Sequence, residues 1–212
     1  MRRATCVAIL LCASSLACGG DGDDAVVVFD GQSLNRIPVP DYPALAMAGI
    51  RGARAENIAV NGESWTVLAK DVQTRRDPLA DGYAVLVMVG GTSDVTSGDD
   101  GPTMYGDMAS YAESARDAGF DYIIAATIQP STGATPAEDA ARAEANRLLL
   151  ADAEDAFDEV VDLAGTPGLD DPRGPAYYDG IGHPSPRGAQ LMADAIRPAI
   201  KQALEDQDQL FG

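Results

Sequence analysis

The chain has 212 residues and carries 15 Lys and Arg against 33 Asp and Glu, which gives a formal net charge of −18. A surface this acidic repels phosphate backbones and anionic lipid, so we expect no nucleic-acid partner. The three cysteines all lie within the first 18 residues, so the rest of the chain can form no internal disulfide and must be stabilised by its core.

The N-terminal segment has the pattern of an export signal. A pair of arginines precedes an apolar stretch over 7–16. This stretch is too short to cross a bilayer as a mature helix, so it does not indicate a membrane span. We therefore predict a signal peptide over 1–17 and an exported bacterial protein.

The run Ser-Leu-Ala-Cys that ends at Cys18 resembles a bacterial lipobox. The resemblance implies that Cys18 is lipidated and begins the mature chain, followed by a flexible acidic tether over 18–24 and a single domain over 25–212. Such a lipoprotein of the cell envelope would meet the membrane only through its anchor. Ordinary cleavage with Cys18 unmodified is the alternative, and it would give a secreted protein.

Short apolar runs alternate with helix-like segments along the rest of the chain. The runs are continuous, which is the pattern of strands buried on both faces of a parallel sheet. We predict strands at 26–29, 58–60, 84–89, 122–128 and 160–163. Helices are predicted over 65–75, 103–118, 136–157 and 187–204. This alternation indicates an α/β fold, a three-layer α/β/α sandwich with a central, mainly parallel five-stranded sheet.

A serine, an aspartate and the one histidine of the chain form a candidate catalytic set. Ser33 follows the first predicted strand in a tight turn. His183 lies in a Gly- and Pro-rich loop before the last helix, with Asp179 four residues ahead of it. A serine hydroxyl is a poor nucleophile unless a base takes its proton, and the imidazole needs a carboxylate to fix its tautomer. The three residues are therefore candidates for nucleophile, acid and base.

Two further loops are expected beside Ser33. Gly62 follows the second predicted strand, and Ser93 follows the third. Because the carboxyl ends of parallel strands meet at one edge of the sheet, the loops that carry these residues should lie close together there. Asp94 is expected to support this edge as a structural residue, by capping the next segment or by hydrogen bonds within the loop.

Four short blocks, in this order, resemble those of the GDSL or SGNH hydrolase family. They are Gly31-Gln32-Ser33-Leu34, Asn61-Gly62-Glu63-Ser64-Trp65, Gly90-Gly91-Thr92-Ser93-Asp94, and the segment from Asp179 to His183. The resemblance implies a flavodoxin-like SGNH hydrolase fold in which Ser33 is the nucleophile, His183 the base and Asp179 its partner. It also implies an oxyanion hole formed by the backbone N–H groups of Ser33 and Gly62, assisted by Ser93. No metal or organic cofactor is implied.

The chain departs from the family pattern at three points. Gln32 stands where many members carry Asp, a replacement also found in carbohydrate acetylesterase branches. Ser93 stands where Asn is expected, and its hydroxyl is a shorter donor than an amide, with Thr92 as a substitute. Asp179 is one residue further from His183 than usual, which leaves Asp170 and Asp171 as alternatives for the acid.

The sequence therefore predicts a secreted or lipid-anchored serine ester hydrolase that works through an acyl-enzyme. Its substrate would be an acyl or acetyl ester, with small-molecule, lipid and carbohydrate esters all open. A catalytically degenerate lipoprotein of the same fold, which binds carbohydrate or an envelope partner, is the alternative. It is suggested by two of the departures, Ser93 in place of Asn and the longer spacing from Asp179 to His183. Acyl transfer to a sugar hydroxyl by the same acyl-enzyme is a third interpretation.

Overall fold

A computed structural model describes residues 25–38, 40–76, 82–152, 155–179 and 182–211. The predicted signal peptide over 1–17 and the tether over 18–24, with Cys18, lie outside the described residues. None of the helices within the described ranges has both the length and the apolar character that a bilayer crossing requires.

Five parallel strands form one sheet in the order β2-β1-β3-β4-β5. The strands are β1 (Ala25–Gly31), β2 (Ala53–Asn57), β3 (Tyr83–Val89), β4 (Tyr122–Ala126) and β5 (Glu159–Val161). The helices are α1 (Tyr42–Met47), α2 (Trp65–Arg76), α3 (Thr92–Ser97), α4 (Gly101–Asp117), α5 (Pro136–Ala151) and α6 (Pro186–Phe211). The predicted five-stranded parallel sheet is confirmed.

Each face of the sheet packs against its own helices. Val27 and Phe29 point to a core shared with α1 and α6, whereas Val26 and Val28 point to a second core shared with α2, α4 and α5. Successive side chains of a strand alternate between faces, so a continuous apolar run such as β1 supplies both cores at once. The result is the predicted three-layer α/β/α sandwich.

The second strand lies earlier than predicted. It spans Ala53–Asn57, at an edge of the sheet, and its residues are half-buried or exposed. An edge strand has a single neighbour and need not be apolar, whereas the apolar character of the segment that follows favoured a strand at 58–60. That segment, 58–60, still pairs with β1, because the N–H of Ile58 donates to the Phe29 carbonyl at 2.9 Å and the N–H of Val60 to the Gly31 carbonyl at 2.9 Å.

Several predicted helix boundaries were also wrong. Helix α4 begins earlier, at Gly101, because the Asp100 side chain caps it by accepting from the N–H of Thr103 at 2.8 Å. Helix α5 stops at Ala151, where Asp152 turns into the left-handed region with φ 32°. The short helices α1 and α3 were not predicted, since each is only six residues long and has little periodicity to detect.

Candidate active site

Ser33 begins a short 3-10 helix, Ser33–Asn35, directly after β1. The chain can turn there because Gly31 adopts φ 132°, and a Cβ at that position would lie 2.0 Å from the carbonyl oxygen of Val89. Only glycine combines this φ with so close an approach of two backbones. The turn leaves the Ser33 side chain half-buried at the carboxyl edge of the sheet.

The buried side chains of Asn35 and Tyr42 stabilise the turn beneath Ser33. The Asn35 amide donates to the carbonyl oxygens of Gln32 at 3.1 Å and Val89 at 2.7 Å, and the Tyr42 hydroxyl donates to Asn35 Oδ1 at 2.5 Å. Burial, with help from the Asp41 charge, raises the pKa of Tyr42 well above its ordinary value, so the hydroxyl stays a donor. Sequence reasoning missed both residues, because nothing in their local pattern marks them.

His183 lies next to Ser33. Its Nε2 atom is 3.1 Å from the Ser33 Oγ atom. In the tautomer that carries its proton on Nδ1, the ring accepts a hydrogen bond from the hydroxyl and can take its proton. The loop is held in place by an antiparallel bridge between Tyr178 and Pro184 and by the Tyr178 hydroxyl, which donates to the Leu169 carbonyl at 2.7 Å.

Asp179 faces the other ring nitrogen. Its Oδ2 atom is 3.7 Å from Nδ1 of His183, an ion-pair distance longer than a hydrogen bond. Its Oδ1 atom accepts from the His183 backbone N–H at 3.1 Å. The alternative acids are engaged elsewhere: Asp170 accepts from the N–H of Gly168 at 2.9 Å, and Asp171 accepts from the N–H of Arg173 at 2.9 Å. The structure thus places Asp179, rather than either alternative, beside the ring.

The side chain of Gln32 joins three loops at this edge. Its Nε2 atom donates to the Glu63 carbonyl at 2.7 Å and to Asp94 Oδ2 at 3.0 Å, while its Oε1 atom accepts from the N–H of Ser93 at 3.1 Å. Asp94 in turn accepts from the N–H of Trp65 at 3.0 Å. Sequence reasoning noted Gln32 only as a replacement, whereas the structure gives it contacts to the loops after β2 and β3.

Asp94 is a fully buried carboxyl at the centre of these contacts. Burial raises its pKa above the ordinary value, and the hydrogen bonds from the Trp65 N–H and the Gln32 amide oppose that rise. A buried carboxylate is tolerated where donors surround it, so the network depends on those donors being present.

The predicted oxyanion donors differ in whether their N–H or hydroxyl group already has a hydrogen-bond partner. The backbone N–H groups of Ser33 and Gly62 meet no acceptor among the described residues, and Gly62 holds a left-handed conformation with φ 79°. The N–H of Ser93 is already bonded to Gln32, so this residue can contribute only its hydroxyl, which has no partner within the described part of the chain. Two backbone N–H groups and one side chain therefore remain for an oxyanion.

Two neighbouring clefts border the loop that carries Asp179. One has a volume of about 600 Å³ and is lined by Asp179, Tyr178, Arg173 and Thr132, and the other, of about 510 Å³, shares Arg173 with it. The second is lined partly by Pro130 and Ser131, which follow β4. Ser33 lines neither cleft, whereas Asp179 lines the first. The clefts therefore approach Ser33 and His183 from the side of Asp179.

One group of carboxylates in the described ranges is close enough to share a cation. Oxygens of Asp94, Asp99 and Asp107 lie within 4.8 Å of one another. Asp94 is committed to Gln32 and Trp65, and Asp107 accepts from the Thr66 hydroxyl at 3.0 Å. With these bonds in place we assign the cluster no metal.

Comparison with known proteins identifies the fold. No protein-family model and no curated protein matches the sequence. Among solved structures, the chain is similar to a lipolytic protein of the G-D-S-L family from Veillonella parvula, with a TM-score of 0.72 and 21% identity over 84% of this chain and 98% of that one. A GDSL-like lipase from Bacteroides thetaiotaomicron gives a TM-score of 0.66 and 19% identity over 85% of this chain and 89% of that one.

A third similar structure is a carbohydrate esterase family 3 protein from Talaromyces cellulolyticus, with a TM-score of 0.66 and 18% identity. The match covers 86% of this chain and 99% of that one. These similarities extend over most of both chains, and Ser33, Gly62 and Ser93 each follow the carboxyl end of a strand of this sheet. The described chain therefore has the fold of the GDSL or SGNH hydrolases.

Proposed function

We propose that the protein is a serine carboxylic ester hydrolase of the GDSL or SGNH type. The observation that carries this proposal is the distance of 3.1 Å between Nε2 of His183 and Oγ of Ser33, in the turn directly after β1. A hydroxyl that close to an imidazole can lose its proton as it attacks a carbonyl carbon. The backbone N–H groups of Ser33 and Gly62, which meet no acceptor among the described residues, support the same chemistry.

The reaction proceeds through an acyl-enzyme. Ser33 Oγ bonds to the ester carbonyl carbon, its proton passes to Nε2 of His183, and the carbonyl electrons move to the oxygen. The N–H groups of Ser33 and Gly62, with the Ser93 hydroxyl, stabilise that oxyanion. Collapse breaks the bond to the alkoxide, which takes the proton from His183 and leaves as an alcohol.

Water then completes the cycle. His183 accepts a proton from the water as its oxygen bonds to the acyl carbon, and the second tetrahedral species collapses to release the carboxylic acid. The proton returns from His183 to Ser33 Oγ. Asp179 stabilises the imidazolium that forms in each half-reaction by its negative charge, and no step requires a metal or an organic cofactor.

Replacing the nucleophile is the direct test. Ser33→Ala removes the attacking oxygen, so we expect turnover of a short-chain acyl ester to fall by at least about a thousandfold. Ser110→Ala, at an exposed serine of α4, is the matched control and should keep the wild-type rate. Equal turnover by wild type and Ser33→Ala would remove Ser33 from the mechanism.

For the substrate we propose an acyl or acetyl ester of carbohydrate. The Gly-Gln-Ser block and the similarity to the carbohydrate esterase from Talaromyces cellulolyticus both support this class. Acetate release from an acetylated xylo-oligosaccharide, compared with fatty-acid release from a triglyceride, distinguishes it from a lipid ester. Faster hydrolysis of the triglyceride would contradict the carbohydrate assignment.

A binding protein of the same fold is the second candidate. It is favoured by the 3.7 Å separation of Asp179 from the ring and by the engagement of the Ser93 N–H with Gln32. An activated fluorophosphonate separates the two candidates, because it labels a serine that a neighbouring base activates. Labelling at Ser33 supports the hydrolase, and an unlabelled Ser33 supports the binding protein.

We also propose that the protein is exported and anchored by a lipid on Cys18. The apolar stretch over 7–16 and the lipobox-like run support this. The wild-type protein should fractionate with membranes, while Cys18→Ser should release it or leave it unprocessed. A Cys18→Ser variant that stays processed and membrane-bound would argue against the anchor.

A further inference from the structure

Gln32 is almost completely buried, with 2% of its surface exposed, and its side-chain amide makes three hydrogen bonds. Its two N–H donors are matched by two acceptors, the Glu63 carbonyl at 2.7 Å and Asp94 Oδ2 at 3.0 Å. Its oxygen accepts from the N–H of Ser93 at 3.1 Å. A glutamine side chain offers two donors and one acceptor atom, and all three are used here.

The surroundings fix which way the amide points. A carbonyl and a carboxylate can only accept, so they require the NH₂ group, whereas the Ser93 N–H can only donate and requires the oxygen. Asp94 is itself held by the Trp65 N–H at 3.0 Å. A carboxylate at position 32 would face the Asp94 carboxylate and the Glu63 carbonyl, so even one of these two hydrogen bonds would form only if the pair of carboxyl groups took up a proton.

Each contact of Gln32 lies on or beside one group of the proposed oxyanion hole. Ser33 is the next residue along the chain, Glu63 follows Gly62, and Ser93 is bonded directly. Oxyanion holes depend on donors that are fixed before charge develops, because reorganisation during the reaction would cost part of the stabilisation. The Gln32 amide therefore links the three loops whose relative positions matter most.

We propose that Gln32 is a positioning residue that sets the geometry of the oxyanion hole, acting through the Glu63 carbonyl, the Ser93 N–H and the Asp94 carboxylate. The inference rests on the proposed function. It also explains why Ser93 can stand in place of Asn, since its backbone is tied to Gln32 and its hydroxyl is left to contribute. Gln32 does not touch the reacting atoms in this role.

Exchanging the Gln32 amide and the Asp94 carboxylate tests the proposal. Gln32→Glu keeps the side-chain length but opposes two carboxylates, so we expect kcat to fall about a hundredfold, with KM changed less than about threefold. In Gln32→Glu combined with Asp94→Asn, the amide at position 94 can donate to the new carboxylate and still accept from Trp65. We expect this pair to regain about tenfold in kcat over Gln32→Glu alone.

A second measurement separates positioning from general destabilisation. An alkyl boronic acid forms a tetrahedral anion on a nucleophilic serine, so its affinity should fall and recover in parallel with kcat across the same variants. Loss of folded protein would instead lower the melting temperature and leave kcat per folded molecule unchanged. If Gln32→Glu does not fold, Gln32→Met removes the same hydrogen bonds without adding a charge, and the same fall in kcat is expected.

Two results would overturn the inference while the proposed function stands. One is wild-type kcat in a folded Gln32→Glu or Gln32→Met variant. The other is a double variant no more active than Gln32→Glu, with boronic acid affinity unrelated to kcat. Failure of the proposed function is seen separately, as a wild-type protein that neither hydrolyses an ester nor reacts with fluorophosphonate at Ser33, and the inference then fails with it.

Discussion

The hydroxyl of Ser33 and the ring of His183 are 150 positions apart along the chain and 3.1 Å apart in space. Asp179 joins them because it lies on the same short loop as His183, where the two residues also bond through their backbones. At 3.7 Å the carboxylate acts on the ring through its charge more than through a hydrogen bond. Its contribution to catalysis can therefore be measured by removing the charge alone.

Asp179→Asn should lower kcat on a short-chain ester by about a hundredfold, because a neutral amide cannot stabilise the imidazolium. The measurement is the steady-state rate across a range of pH. Asp170→Asn is the matched control, since this carboxylate accepts from the Gly168 N–H instead, and it should change kcat less than about twofold. Equal losses in the two variants would show that Asp179 is not the partner of His183.

At the scale of elements, the site depends on the contact between the ends of β1 and β3. Gly31 is level with Val89 in the parallel register, and the backbones approach so closely there that no side chain fits. The same contact lets the N–H of Gln32 donate to the Val89 carbonyl at 3.3 Å. The turn that carries Ser33 thus depends on the pairing of β1 with β3, the central strand of the sheet.

Gly31→Ala should lower the free energy of unfolding by about 3 kcal/mol, because a Cβ would lie 2.0 Å from the Val89 carbonyl oxygen at φ 132°. Denaturant unfolding followed by circular dichroism measures the loss. At Gly49 the φ is 83° and a Cβ would meet no atom within 4 Å. Gly49→Ala should therefore lose only about 1 kcal/mol, the cost of the backbone conformation alone. Similar losses at both positions would contradict a steric role for Gly31.

The elements also explain where sequence reasoning succeeded. Strands β1 and β3 are buried along their whole length, and their continuous apolar runs made them easy to predict, because a strand covered on both faces buries successive side chains in both cores. Strand β2 lies at the edge and was misplaced, since its polar composition is compatible with a loop as well as with a strand. Helix α3 was missed for a similar reason, because its six residues carry no apolar stripe.

At the scale of the whole molecule, several tyrosine hydroxyls are buried in or beside the two cores. Burial raises the pKa of Tyr83, Tyr122 and Tyr178 to about 12, and it raises that of Tyr42 well above the ordinary value. An unfolded chain releases these protons near pH 10, so the folded state binds more protons between the two values. These groups therefore contribute stability below pH 10 that is lost as the pH rises toward 12.

We expect the free energy of unfolding to fall steeply above about pH 10, with these four tyrosines titrating later in the native protein than in the unfolded chain. Denaturant unfolding and ultraviolet titration of tyrosinate measure the two effects. Added salt is the control, because it screens repulsion within a chain of charge −18 but does not change burial. Titration of these four tyrosines at the unfolded value in the native protein, or a loss of stability abolished by salt, would contradict this prediction.

The sequence by itself determined the sandwich and the identity of the candidate residues. The apolar runs at 26–29, 84–89 and 122–128 predicted strands covered on both faces, and the one histidine restricted any imidazole chemistry to a single loop. Only the tertiary structure decided that Asp179 rather than Asp170 faces that histidine, and that Gln32 ties the loops of Gly62 and Ser93 together. Burial leaves a pattern along the chain, whereas a hydrogen bond between distant residues exists only once the fold has set their distance and direction.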